Sequence, residues 1–371
     1  MLKVGIIGTT IWGITLSIIL AEKGMDVGLW ARTEKEAKDL QKSGPDPEET
    51  SDRAFPDNVL ITHEIEAALD EAKAVILVVP SQSMRQNIKL IAGHLGKSML
   101  VVSAAKGLEI GSGLRMSQVI AEEINPRFHD NICVISGPNL AREILCGLPA
   151  ATVAAAENGS VARQAQRLLT TPNLCVFTNT DVVGVELGGS LKNIIALGAG
   201  IADGLGYGDN AKAAYVTRGL TEITALGVAL GANPLTFSGL AGLGDVITTC
   251  ASPLSRNHYV GEELAKGRPL DEIIASMTEV AEGVTTALAA RNLSRNLGLE
   301  MPITERIYQV LYEGVEPRAA AADLMGVATN HELSGRKWKL FSFLRRRWRP
   351  STSPPGPPPL GGQDIQPGCR E

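Results

Sequence analysis

The alternation of two kinds of segment over the first 180 residues limits the fold more than any other feature. Short runs rich in Val, Ile and Ala are separated by stretches with helical spacing, which predicts a mainly parallel sheet covered by helices on both faces. The predicted strands are Val4–Ile7, Val27–Trp30, Val59–Ile61, Ala74–Val79, Met99–Ser103, Ile132–Ile135, Ala151–Ala155 and Leu174–Phe177. The predicted helices between them include Ile14–Glu22, Met84–His94 and Val161–Leu169.

The strand pattern ends near Val182, where long segments rich in Ala, Leu and Gly begin. The helices that these segments predict are Val183–Ala202, Ala211–Leu230, Arg256–Ala265, Val284–Asn296, Ile303–Glu313 and Ala319–Val327. We therefore expect an α/β domain over residues 1–180 and an all-helical domain over residues 181–333. With 371 residues, of which 44% are apolar and 4% aromatic, the chain is long enough for two domains with aliphatic cores.

Residues 334–371 differ in composition from both domains. The basic residues among them alternate with aromatic and aliphatic ones, and a Pro-rich stretch follows. We expect a solvated, disordered tail outside the fold, because charge runs are most often of that kind. The alternative is weak contact with an anionic membrane surface, which mixed basic and aromatic residues favour.

Net charge and cysteine usage narrow the class of protein. The chain carries a net charge of −5 although its last segment is basic, so the body is acidic and unsuited to nucleic acid. The five cysteines are scattered without a C-x-x-C pair, which predicts a reducing compartment, the cytoplasm, and no zinc site. The uncharged stretch Val4–Ala21 is a poor signal peptide or membrane anchor, because three glycines interrupt it.

A glycine turn follows the first predicted strand. Gly8 and Gly13 flank Thr9-Thr10-Ile11-Trp12 and a helix is predicted next, which is the context of a Rossmann-type dinucleotide fingerprint in a doubly wound sheet. Gly8 allows a tight turn, Gly13 allows the helix to pack on the strand, and free helical N–H groups bind the pyrophosphate. Thr10 occupies the position of the usual middle glycine, so an α/β turn without a ligand is the alternative.

The residues after the second predicted strand bear on the choice of coenzyme. Arg32 follows the strand, and no acidic residue appears before Glu34. A carboxylate at this place binds the ribose of NAD, whereas an arginine accommodates the 2′-phosphate of NADP. The sequence therefore favours NADPH, or use of both NADPH and NADH; a solvated loop arginine is the alternative.

Three later segments contain features that packing alone does not explain. Lys192 lies in an otherwise apolar predicted helix, just after the pair Gly188-Gly189. Glycine inside a helix costs about 1 kcal/mol relative to alanine, so this pair indicates close approach of another group. Asp245 ends the glycine-rich stretch that begins at Gly239, which we expect to be a mobile loop. The third segment, Ser136–Glu143, directly follows a predicted strand.

A fourth segment predicts an anion site. Ser252 is expected to cap a helix with Pro253 at its first position. The N–H groups near Ser255, together with Arg256 and Asn257, would then bind an anion through a helix end and a guanidinium group.

These segments, with Ala105-Lys106-Gly107 and Val280-Ala281-Glu282-Gly283, resemble those of the bacterial NAD(P)-dependent glycerol-3-phosphate dehydrogenases over about Lys3 to Asn330. The resemblance implies reversible reduction of dihydroxyacetone phosphate to sn-glycerol 3-phosphate, which supplies phospholipid synthesis. It also implies a homodimer. Thr10, where the family usually has glycine, is the main departure and bears on pyrophosphate binding rather than on the reaction.

The resemblance further implies a role for each site residue. Lys192 would be the general acid/base, and burial with the nearby cations Lys106 and Arg256 would favour its neutral form. The implied substrate-binding residues are Lys106, Gly137, Asn139, Lys192, Asp245, Ser255, Arg256 and Asn257. The implied coenzyme-binding residues are Gly8, Thr10, Ile11, Trp12, Gly13, Arg32, Lys106, Ala141, Arg256, Val280 and Glu282.

Structural and functional alternatives stay open. Asp245 could close an Asx turn, and Glu282 could be a carboxylate that a helix N-terminus favours. No His, Cys or carboxylate cluster has metal-ligand spacing, so we expect no metal. The competing functions are a related β-hydroxyacid or sugar-phosphate dehydrogenase, and a catalytically silent dinucleotide sensor or membrane-tethered binding module. The anion site argues against a carboxylate substrate, and Lys192 argues against a sensor.

Overall fold

The computed structural model describes residues 2–45, 54–277 and 279–326 of the chain. The predicted tail over 334–371 and the end of the last predicted helix, at Val327, lie outside these ranges. All eight predicted strands are confirmed to within two residues at each end. They are β1 (Lys3–Ile7), β2 (Asp26–Trp30), β3 (Val59–Thr62), β4 (Ala74–Leu77), β5 (Leu100–Ser103), β6 (Ile132–Ser136), β7 (Ala150–Ala155) and β8 (Leu174–Asn179).

The strands form one sheet in the order β3-β2-β1-β4-β5-β6-β7-β8. Neighbours are parallel except β6 and β7, which are antiparallel. The order 3-2-1-4-5-6 is that of a doubly wound Rossmann sheet, so the predicted fold class is confirmed. The helices among these strands are α1 (Ile11–Glu22), α2 (Glu34–Ser43), α3 (Ile65–Leu69), α4 (Met84–Ile91), α5 (Met116–Glu123), α6 (Ala141–Leu145) and α7 (Gly159–Leu169).

Alternate residues of the central strands feed two separate cores. In β4, Ala74 and Ile76 join the core that includes Leu16 of α1, whereas Val75 and Leu77 join the core that includes Met84 of α4. Side chains of successive strand residues point to opposite faces, so a sheet covered on both sides needs apolar residues at every position. This requirement explains the continuous apolar runs in the sequence.

In the described residues after β8, the regular elements are helices. They are α8 (Val182–Gly204), α9 (Gly208–Ala229), α10 (Asp245–Ala251), α11 (Arg256–Ala265), α12 (Leu270–Ala275), α13 (Glu282–Asn296), α14 (Pro302–Tyr312) and α15 (Pro317–Gly326). Pro302 is at the first position of α14, as predicted. The long helix α8 is buried along most of its length, with α9, α10, α11 and α13 packed around it.

Two features of α8 determine its place in the fold. It is the one helix in the described ranges that is long and apolar enough to cross a membrane, but 89% of its most apolar window is buried within the protein. It also crosses α11 at close range, because a Cβ atom on Gly200 would overlap the carbonyl of His258. This close crossing places the first turn of α11 beside the middle of α8.

Candidate functional site

The carboxyl ends of β5 and β6 meet the N-terminal half of α8. Lys106 follows β5, and its Nζ donates to the carbonyl of Gly137, which follows β6, at 2.8 Å. The same Nζ donates to Asp245 Oδ2 at 2.7 Å. Ligands of open α/β sheets bind outside the carboxyl ends of the strands, so this cluster lies where a substrate would be expected.

Lys192 reaches this cluster from α8. Its side chain is 8% exposed, and its Nζ donates to Asp245 Oδ1 and, at 2.6 Å, to Thr249 Oγ1. The pKa of Lys192 is lowered to about 8: burial is the largest cause, the positive charge of Lys106 adds to the lowering, and the Asp245 carboxylate opposes both. An amine with this pKa can both give and take a proton near neutral pH.

Asp245 does not lie in a mobile loop, contrary to the sequence prediction. Leu240–Gly244 forms a π-helical turn that leads directly into α10, and Asp245 is only 1% exposed. A Cβ atom on Gly242 would overlap the backbone of Phe237, and one on Gly188 would lie 2.5 Å from the carbonyl of Ala241. The glycines on both sides therefore serve close packing between this turn and α8, and they do not confer mobility.

Thr249 is a site residue that sequence reasoning missed. Its hydroxyl lies one turn after Asp245 on α10 and accepts from Lys192. It also donates to the main-chain carbonyl of Asp245 at 2.6 Å. The i, i+4 spacing is informative only once α10 is known to be a helix, which the glycine-rich stretch did not predict.

Ser255, and not Ser252, caps α11. Ser255 Oγ accepts from the amide of His258 at 3.2 Å. Ser252 instead ends α10, and its main-chain carbonyl accepts from the amide of Ser255 at 3.1 Å. Pro253 lies in the turn between these helices. The helix therefore begins later than the predicted cap implied, and its first turn contains Arg256 and Asn257.

The amide of Asn257 is held in one orientation. Its Nδ2 donates to Asn193 Oδ1 at 3.0 Å, and its Oδ1 accepts from the amide of Gly283 at 2.8 Å. One N–H of the amide remains for a ligand. Arg256 is half-exposed, donates to the carbonyl of Val280 at 3.1 Å and lies 3.4 Å from Glu279 Oε2. The structure thus brings Arg256 and Val280, predicted as ligand-binding residues, into contact.

The turn after β1 fits a dinucleotide. Gly8 has φ +115°, and a Cβ atom there would lie 2.5 Å from the carbonyl of Val78. A Cβ atom on Gly13 would overlap the carbonyl of Gly8. Thr10 caps α1, because its Oγ1 accepts from the amide of Gly13 at 3.2 Å and donates to the carbonyl of Val78 at 3.1 Å. The departure at Thr10 therefore has a structural role at the helix end that would face the pyrophosphate.

Ile11 and Trp12 form the first turn of α1 and are partly buried against the core of the sheet. Ala141 begins α6, which packs against α1, and its carbonyl accepts from Thr15 at 3.3 Å. Asn139 donates through Nδ2 to Thr152 Oγ1 at 3.0 Å, whereas its buried Oδ1 has no hydrogen-bond partner within the described part of the chain. These residues therefore lie beside the glycine turn or beside Gly137, and their roles in binding stay predictions.

Arg32 is exposed at the end of β2, and a carboxylate that we did not predict lies next to it. Glu36 Oε2 accepts from the amide of Arg32 at 3.2 Å, and Glu36 Oε1 accepts from Thr9 Oγ1 in the glycine turn. Thr33 caps α2 and accepts from the amide of Glu36. The spacing of Thr33 and Glu36 is that of a capping box, which could have placed this carboxylate at the start of a helix.

Glu282 links the start of α13 to the segment that follows β4. It begins α13 and accepts from the amide of Ser81, after β4, at 2.9 Å and from the Ser81 hydroxyl. Burial raises the pKa of Glu282, and the hydrogen bonds from Ser81 oppose that rise. Glu282 is thus a carboxylate at a helix start, as the structural alternative states, and its role in binding the coenzyme stays a prediction. Within the described ranges, no group of three or more His, Cys, Asp or Glu residues could hold a metal ion.

Two family models match the chain in tandem. The NAD-dependent glycerol-3-phosphate dehydrogenase N-terminus matches residues 3–162, and the corresponding C-terminus matches residues 181–322. A curated relative from Dehalococcoides mccartyi, called glycerol-3-phosphate dehydrogenase [NAD(P)+], is 61% identical over 94% of this chain and 97% of its own length. One from Prosthecochloris aestuarii is 45% identical over 86% and 96%.

A solved structure of the same family is also similar to this chain. The glycerol-3-phosphate dehydrogenase of Coxiella burnetii is 32% identical and aligns with a TM-score of 0.82, over 87% of this chain and 98% of its own.

Proposed function

Because the chain belongs to the NAD-dependent glycerol-3-phosphate dehydrogenase family, we propose that it reduces dihydroxyacetone phosphate to sn-glycerol 3-phosphate, reversibly, with Lys192 as general acid/base. NADPH or NADH is the reductant. The observation that carries this proposal is the buried Lys192, which has a lowered pKa and is bound to Asp245 beside the ends of β5 and β6.

The proposed reaction uses Lys192 in both of its protonation states. The bound nicotinamide coenzyme supplies the hydride. As an ammonium group, Lys192 gives a proton to the oxygen at C2 of the substrate during reduction, and as an amine it takes the proton from the C2 hydroxyl during oxidation. Asp245 holds Lys192 and Lys106 on its two oxygens, so the lysine amines stay oriented towards one point.

The start of α11 would bind the substrate phosphate. Arg256 supplies a guanidinium group, Asn257 supplies its remaining N–H, and the first turn of the helix adds unpaired amides. Asn193 lies on α8 next to Lys192 and orients Asn257. The phosphate is thereby placed at a fixed distance from the acid/base, which selects a phosphorylated ketone over a simple hydroxy acid.

Replacing Arg256 by glutamine tests the phosphate site. Loss of a charge-assisted hydrogen bond of about 1.5–3 kcal/mol should lower kcat/KM for dihydroxyacetone phosphate about 10- to 100-fold. The control is Arg295→Gln, which removes an exposed arginine paired with Glu305. Equal kcat/KM values for the two variants in initial-rate assays would rule out Arg256 as a phosphate ligand.

Arg32 decides the coenzyme preference in our proposal. Arg32→Ala should weaken NADPH binding about 10-fold while leaving NADH binding unchanged, because only NADPH has a 2′-phosphate for the guanidinium group. Dissociation constants from the quenching of tryptophan fluorescence measure both, with Lys38→Ala on the outer face of α2 as control. A parallel loss for NADH would contradict the assignment.

The direct test of substrate uses the purified chain. We expect rapid oxidation of NADPH or NADH with dihydroxyacetone phosphate and none with a 2- or 3-oxo acid. Coenzyme binding without turnover on any of these would return the dinucleotide sensor to the leading position.

The wider context follows from the same proposal. The product is the backbone of phospholipids, and the scattered cysteines favour the cytoplasm. The family resemblance implies a homodimer, and the lack of ligand spacing in the sequence implies no metal. Light scattering of the purified chain measures the oligomeric state.

Co-sedimentation with anionic liposomes, for the full chain against a chain that ends at Leu333, tests the role of the last segment.

A further inference from the structure

Glu186 is a buried carboxylate to which the proposed reaction assigns no role. It lies on α8, 7% exposed, six residues before Lys192. Its Oε1 accepts from the amide of Ser117 at 2.7 Å, and its Oε2 accepts from the Ser117 hydroxyl at 2.6 Å and from Arg115 Nη1. The Ser117 hydroxyl also accepts from Arg115 at 3.0 Å. A single carboxylate thus satisfies three donors at the start of α5.

The segment that Glu186 holds also carries Lys106. Arg115 pairs with Leu108 in an isolated antiparallel bridge. The residues between them therefore form a loop with paired ends, and Lys106 lies two residues before it. A second contact lies beside this bridge, because the Ser190 hydroxyl is 3.2 Å from the carbonyl of Gly107; its shorter hydrogen bond, at 2.7 Å, goes to the main-chain carbonyl of Glu186. Glu186 and Ser190 are one turn apart on α8. Together they hold the segment of Lys106 against α8, although Lys192 projects from a different side of the helix. The Lys106 stem passes Gly189 on its way to the cluster, because a Cβ atom on Gly189 would lie 3.6 Å from Lys106 Cδ.

We propose that Glu186 is a positioning residue of the reaction, which sets the distance between Lys106 and Lys192 by fastening α8 to the start of α5. The inference rests on the proposed role of Lys192 as acid/base. The Glu186 carboxylate, although it lies on α8, faces the N-terminus of α5 and is favoured by that helix's dipole, so the contact is both charge-assisted and directional. A displacement of about 1 Å at reacting groups can cost about 100-fold in rate.

The groups that face Lys192 determine the sign of the effect. They are Asp245 and Cys250 from α10 and Lys106 from the segment after β5. When α8 loosens from that segment, Lys106 moves away and water enters, and both changes raise the pKa of Lys192 from about 8 towards its ordinary value. Asp245 stays, because α10 packs on α8 itself.

The chain contains a matched control for Glu186. Glu222, also 7% exposed, accepts from the amides of Ile303 and Thr304 at 2.8 Å and from the Thr304 hydroxyl at 2.7 Å. Like Glu186, it binds amide and hydroxyl donors at the start of a helix, but it joins α9 to α14. Glu186→Gln and Glu222→Gln both leave a helix start with a neutral acceptor. Only the first change loosens the Lys106 segment.

The experiment compares the full-length wild type with these two glutamine variants. Labelling of the Lys192 amine by acetic anhydride, quantified by peptide mass spectrometry against pH, gives the pKa of Lys192 without any turnover. The pH dependence of kcat gives it during turnover. We expect Glu186→Gln to raise this pKa and to lower kcat about 10-fold or more, while Glu222→Gln lowers the melting temperature similarly and leaves the pKa of Lys192 unchanged.

Two results would overturn the inference: an unshifted pKa of Lys192 in Glu186→Gln, or an equal shift in Glu222→Gln. If Glu186→Gln does not fold, Ser117→Ala removes one of the three donors and should give a smaller rise of the same sign, and no rise there would overturn it too. Failure of the proposed function gives a different result, because the kcat of the wild type would then show no pH dependence that is due to Lys192.

Discussion

Replacing Lys192 by methionine should lower kcat for the reduction of dihydroxyacetone phosphate by a factor of about 10²–10⁴, the usual contribution of a general acid. Methionine matches the length of the lysine stem and suits the buried helix position, so the fold should persist. The glycine turn and Arg32 follow β1 and β2, whereas Lys192 lies on α8. The affinity for the coenzyme should therefore change little. Stopped-flow turnover and fluorescence titration with NADPH measure the two quantities.

The control for this variant is Lys212→Met. Lys212 is a partly exposed lysine of α9, paired with Asp203. It should keep the kcat of the wild type. If Lys192→Met also kept that kcat, another group would be the proton donor.

Asp245→Asn should give the second large effect, on both stability and proton transfer. The substitution keeps the shape of the side chain but leaves Lys106 and Lys192 without their shared counter-charge. Removing one partner of a buried ion pair costs about 3–5 kcal/mol, so we expect a clear fall in the midpoint of denaturant unfolding. The Asp245 carboxylate raises the pKa of Lys192, and its loss should therefore bring that pKa below about 8.

The sign of this shift separates Asp245 from a purely structural residue. With a lower pKa, Lys192 loses its proton at lower pH. The descending limb of the kcat–pH profile for reduction, where kcat declines as pH rises, therefore moves to lower pH. We expect kcat at neutral pH to fall about 100-fold, since the acid form becomes scarce and the amine loses its orientation. Asp323→Asn removes an exposed carboxylate paired with Arg306 and should leave the limb in place. A limb that stays or moves towards alkaline pH in Asp245→Asn would contradict this account.

The sequence predicts the sheet well for a physical reason. Parallel strands covered on both faces need uninterrupted apolar runs, and β1, β4 and β5 have such runs. The helix α2 was missed because only Ala37 in it is buried, so it lacks a strong apolar face. The helix α10 was missed because the glycines before it suggested a loop.

The candidate site was only partly predictable, because several of its contacts join residues far apart in the chain. Lys192 and Asp245 stand out as polar residues beside glycines in apolar surroundings. Thr249 and Ser81 have no such context, and their partners Lys192 and Glu282 lie 57 and 201 residues away. Only the assembled fold shows that α10 and the end of β4 supply these hydroxyls.

The pH dependence of kcat in both directions tests the central claim most directly. With a pKa of about 8 for Lys192, reduction needs the protonated amine and should decline above that pH, whereas oxidation of glycerol 3-phosphate needs the neutral amine and should decline below it. Both limbs should vanish in Lys192→Met. Limbs of the same sign in the two directions, or limbs that persist in the methionine variant, would show that Lys192 is not the acid/base.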